Sequence, residues 1–171
     1  MSIKIEDRKA KEDITEFPPS KYLEKYFGIV LPPKIAKFWD RAGYVRKDGA
    51  INFEEPVDKV IEGYLERDAG KPFFDDELKK YLSWYLFDND PDFHVYVCMP
   101  GMLCEVFEGG VYVTFDDKGV ALFGYFEFSV YDKTGRLLFT GTVLGGAELR
   151  EENGKTYVEF TPYNISVMPN K

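Results

Sequence analysis

One histidine, two cysteines and several tight groups of carboxylates are the side chains of this chain that could carry chemistry, and their spacing limits what it could be. A single histidine, His94, excludes a His-pair metal site and leaves a Ser-His-Asp or Cys-His-Asn arrangement only one base. It follows a turn at the start of an expected strand, where a half-exposed strand residue is the plainer reading. Cys98 and Cys104 enclose Met99-Pro100-Gly101-Met102-Leu103, too long for a redox or zinc-knuckle pair, and read as two buried thiols in neighbouring strands. An enzyme would have to combine His94 with Cys98 or Cys104 and a nearby carboxylate.

Asp88, Asp90 and Asp92 have the alternate spacing with which a calcium loop converges its oxygens. Phe93 and Met99 then stand where such a loop needs its turn glycine and its bidentate glutamate, so the triplet reads as a solvated acidic turn able to face a partner. Glu54 and Glu55, ahead of Pro56, and the run Asp75, Asp76, Glu77 suit the positive end of a helix dipole and are the other candidate partner contacts. No phosphate-loop, dinucleotide, nucleophile-elbow or zinc-protease signature occurs, and neither a cofactor nor a metal is expected. Aromatic residues make up 17% of the chain, with Tyr112, Tyr125, Tyr131 and Tyr157 expected on the wetter strand faces. They form either a binding surface or a face covered by helices or a dimer partner.

These groups must be positioned by two kinds of element. Ser20 as N-cap, the stripe Tyr22, Leu23, Tyr26, Phe27 and a closing Gly28 predict one helix; Pro33 followed by Ile35, Phe38, Trp39 and Ala42 predicts another, ending before Gly43. Asp48-Gly49 between short β-prone runs predicts a hairpin. A third helix is expected from Pro56 through Val57, Val60, Ile61, Tyr64 and Leu65, and a fourth from Asp75 or Asp76 through Leu78, Tyr81, Leu82, Tyr85 and Leu86. From Phe93 onward the hydrophobic period becomes two, with strands around 111–115, 120–131, 136–144, 147–150 and 155–160. The expectation is one α+β domain over 1–171: a loose arm 1–17, a mainly helical part 18–92, and an antiparallel meander 93–171 whose apolar face the helices cover.

Composition sets the remaining bounds. A net charge of −8 disfavours phosphate backbones and anionic lipid, so neither nucleic acid nor membrane is an expected partner. Few cysteines, a charged start and no long apolar run point to the cytoplasm, while the sheet edges leave a homodimer open.

Leu31-Pro32, Phe38-Trp39, Gly43-Tyr44, Asp48-Gly49 and Pro56-Val57 together resemble the GAD-like domain family, and Gly28-Ile29 ahead of Leu31-Pro32 is more distantly similar to the SUKH superfamily. The likeness is best over about residues 22–66, and the strand-like 155–160 departs from the helical ending such a domain would have. Both families recur as immunity proteins of bacterial toxin systems. The resemblance therefore implies a non-enzymatic protein that occludes a cognate, basic toxin, which suits the acidic charge. The alternative is a small-ligand module whose sheet encloses an apolar pocket lined by Phe123, Phe126, Phe128 and Phe139.

Overall fold

The computed structural model describes residues 15, 18–53, 60–65, 80, 82–116 and 119–170. The chain is an α+β protein in which N-terminal helices pack on an antiparallel meander. Helix α1 (Pro19–Phe27) and helix α2 (Pro33–Ala42) each have proline in the first turn, where a missing N–H costs nothing. Ser20 is not the cap of α1. It lies inside the first turn, and Asp40 of α2 reaches across to accept from both its backbone N–H (2.8 Å) and its hydroxyl (2.6 Å), so one helix caps the other. Gly28 closes α1 at φ +67°, a conformation with no Cβ penalty for glycine alone.

The expected hairpin is present. Strands β1 (Gly43–Val45) and β2 (Ile51–Phe53) pair antiparallel, and Asp48 fastens the turn by accepting from the Ala50 N–H at 3.0 Å. Strand β3 (Ile61–Leu65) replaces the later part of the expected third helix. The residues that look helical there also satisfy a two-residue period, Gly63 weakens a helix, and β7 offers the segment a complete hydrogen-bonded ladder. Helix is found at residues 80 and 82–83, where the fourth helix is expected, and widens into a π turn over Trp84–Asn89.

Residues Pro91–Tyr96 form helix α3 rather than a first strand, because Asp90 caps the helix by accepting from Asp92 and Phe93 N–H at 3.0 and 3.3 Å and Pro91 opens it. The same Asp-Pro-Asp residues that signal a turn thus signal a helix start.

Four long strands follow: β4 (Leu103–Asp116), β5 (Gly119–Tyr131), β6 (Leu137–Glu152) and β7 (Lys155–Pro169). The two strands expected on either side of Gly145-Gly146 are one strand, bent by an irregularity at Leu144/Gly145. The sheet order is β1-β2-β7-β6-β5-β4, with β3 also on β7, so the helical part contributes strands to the same sheet. The far edge, β4, pairs with β5 and with no second strand among the described residues, and carries a bulge between Val106 and Glu108. At the other edge, Thr15 donates its N–H and hydroxyl to the Val45 carbonyl at 2.8 and 3.0 Å; the rest of the expected arm 1–17 lies outside the described residues.

The core lies between the helices and one sheet face. Trp39 meets Phe53 at 4.8 Å and Phe139 at 5.5 Å; Phe87 meets Phe93 at 5.3 Å and Phe128 at 5.2 Å; Phe126 meets Phe160 at 5.6 Å. Alternation along β5 places Phe126, Phe128 and Val130 in this core and turns Phe123, Tyr125, Glu127 and Tyr131 to the opposite face.

Candidate binding surface

The residues that could carry chemistry are separated by the fold. His94 stands on helix α3 rather than at a strand start, and its buried Nε2 has no hydrogen-bond partner. Cys98 and Cys104 are joined in a disulfide across a Cα separation of 6.1 Å, with Cys98 in the loop after α3 and Cys104 in β4. They are neither free thiols nor in neighbouring strands, and as a bonded pair they do not point to a reducing compartment. Among the described residues no helix is long and apolar enough to cross a membrane. Closing so short a loop constrains the unfolded chain modestly: reduction, or the C98S/C104S double variant, is expected to lower stability by about 2 kcal/mol, read as a shift of the urea midpoint.

The acidic candidates also part company. Asp90 is buried as the α3 cap, whereas Asp88 and Asp92 are exposed. Only those two members of the triplet can face a partner. Glu54, Glu55, Asp75, Asp76 and Glu77 lie outside the described residues. Among the described residues no group of histidine, cysteine or carboxylate side chains has the arrangement of a metal site. Of the rings expected to line an apolar pocket, Phe126, Phe128 and Phe139 are completely buried and packed against other rings, so they fill that space themselves.

What the fold assembles instead is the solvent face of β4, β5 and β6. Antiparallel register aligns Glu105 with Ser129 and Thr140, Glu108 with Glu127 and Thr142, Tyr125 with Leu144, and Tyr112 with Phe123. Tyr112 and Phe123 stack at 5.6 Å with planes 27° apart. The Tyr125 phenol donates to Glu127 at 3.1 Å. Two carboxylates set directly opposite, Glu108 and Glu127, oppose the sheet by about 0.2–1 kcal/mol, so stability of the strand pair does not favour them. At one end the face runs into an open groove of about 470 Å³ between Met102, Leu103, Glu105, Tyr131 and Lys133.

The expected tyrosines Tyr112, Tyr125, Tyr131 and Tyr157 are all half-buried, and register places them on this outer face. The glutamates among them escape a reading that looks for clusters in sequence, because pairing alone brings Glu105, Glu108 and Glu127 together. Period-two alternation combined with the turn at 116–119 is the signal that could have aligned them.

Burial, then the hydrogen bond to Glu127 and the charges of Glu127 and Glu108, push the Tyr125 phenol above its ordinary value. The folded protein therefore keeps a proton that the unfolded chain releases, and this contribution to stability is present below about pH 10 and lost as pH rises through the native value. Ring-labelled tyrosine NMR should show Tyr125 ionising late, with Glu127→Gln moving it back toward the ordinary value; an unmoved titration would mean that the carboxylate does not act on the phenol.

No protein-family model, no curated protein and no solved structure matches this chain.

Proposed function

We propose that the protein is a binding protein without chemistry of its own, which neutralises a cognate toxin by covering its working surface. The observation that supports this reading is the open face of β4–β6: long strands, one side held by helices, the other presenting aromatic rings and carboxylates to solvent. Large rings with few rotatable bonds provide contact area at low entropic cost, and carboxylates speed association with a basic partner. The likeness of residues 22–66 to GAD-like immunity domains points the same way.

The test is affinity capture of the tagged protein from its native cells at low and moderate salt, followed by co-expression of whatever protein is recovered. A single basic protein that arrests growth alone, and no longer does so beside this chain, is the expected result. Recovery of no partner, or growth arrest that persists in the complex, would overturn the proposal.

A further inference from the structure

We infer that the solvent face of β4 and β5, from Glu105 to Tyr112, seats an extended protein segment that presents arginine or lysine side chains. This deepens the binding reading above and rests on it. In the four long strands the basic residues are Arg150 and Lys155, both near the β6–β7 turn. Arg150 is already engaged there, with Glu159, with Glu62 at 3.9 Å, and over the Tyr157 ring at 5.4 Å. Lys133 stands at the groove end, and between it and Arg150 the charged side chains of β4 and β5 on this face are Glu105, Glu108 and Glu127, which give a negative stretch into which a cation fits.

Within that field the side chains suit a guanidinium or ammonium group specifically. Glu105 is exposed, and Glu127 is half-buried, where a charge is screened less by salt. The phenol of Tyr125 takes one acceptor position on Glu127 and holds the carboxylate in place, leaving its other lone pairs for incoming donors. The stacked Tyr112 and Phe123 add ring faces for a cation, and Tyr131 adds an aromatic wall at the groove end. Thr140 and Thr142 lie beside them as half-buried short polar side chains, with Ser129 buried between Glu105 and Thr140 in the register. From Glu105 to Tyr112 the strand covers about 20 Å, the span of roughly six extended residues. The exposed turn with Trp84, Asp88 and Asp92 is the competing surface.

The experiment is an NMR titration of the full protein with a synthetic peptide of alternating arginine and serine, and with its counterpart in which glutamine replaces arginine, at low and physiological salt. Shifts are expected at Glu105, Phe123, Tyr125 and Glu127, with the glutamine peptide silent. Glu105→Gln with Glu127→Gln should weaken binding at least about tenfold. Asp88→Asn with Asp92→Asn should change it less than about twofold. Thermal unfolding of each variant checks that the sheet is intact, and losing carboxylates from the face should not lower the midpoint. Shifts centred on Trp84 to Asp92, equal binding of the glutamine peptide, unchanged affinity of the Glu105/Glu127 variant, or no binding at all would each overturn the inference. So would a dimer whose dilution shifts fall on these same residues. Because the peptide titration needs no natural partner, it judges the face separately from whether a toxin is found.

Discussion

Trp39→Ala is expected to lower stability by about 3 kcal/mol, a large share of the 5–15 kcal/mol that holds a typical domain together. Trp39 has no exposed surface and joins helix α2 to the sheet through Phe53 and Phe139. Truncating so large a ring costs roughly 3–5 kcal/mol through lost transfer energy and an incompletely closed cavity. One term opposes it. The indole Nε1 is buried without a hydrogen-bond partner, so removing it releases a desolvation cost of about 1 kcal/mol or more. The cavity term is the larger, hence the net loss. Trp39→Phe separates the two, since it keeps most of the ring and deletes the orphan donor, and its cost should stay within about 1.5 kcal/mol. Urea unfolding followed by far-ultraviolet circular dichroism gives both values. A loss under about 1 kcal/mol for Trp39→Ala would mean that the helix-to-sheet seam does not unfold with the rest.

Adjacent glycines in β6 should respond in opposite ways to the same added methyl group. At Gly145 a Cβ would lie 2.3 Å from the Thr161 carbonyl oxygen and 2.8 Å from Pro162 Cα, all backbone of the neighbouring strand. Backbone cannot swing aside as a side chain can, so β6 and β7 must separate where their register already shifts. Gly145→Ala is therefore expected to cost about 3 kcal/mol, the upper end of overpacking penalties. At Gly146 the same Cβ meets nothing within 4 Å. Gly146→Ala should be neutral or stabilising by up to about 1 kcal/mol, because alanine leaves the unfolded chain fewer conformations to lose. Thermal unfolding of the two variants side by side is the measurement, and equal midpoints would contradict the close approach of the strands.

Period and punctuation in the sequence determined much of this molecule. Leu31-Pro32-Pro33 opened helix α2, Gly28 closed α1, Asp48-Gly49 set the β1–β2 turn, and two-residue alternation assigned the faces of β5, because each of these is a local steric preference. Local preference was ambiguous elsewhere. Residues 61–65 satisfy a helical stripe and an alternating one alike, and only the open ladder of β7 resolved them as a strand; Asp90-Pro91 marks a turn and a helix cap equally, and the helix was settled by the Asp90 cap bonds together with the packing of Phe93 on Phe87. Contacts across the sheet were not written in any local pattern. The Cys98–Cys104 bond, the capping of α1 by Asp40, and the meeting of Glu105, Glu108, Glu127 and Tyr125 depend on which strands and helices become neighbours. Adjacency of that kind comes from burying the apolar faces of the whole chain together, and the open face with its carboxylates and rings is the side which that burial leaves in water.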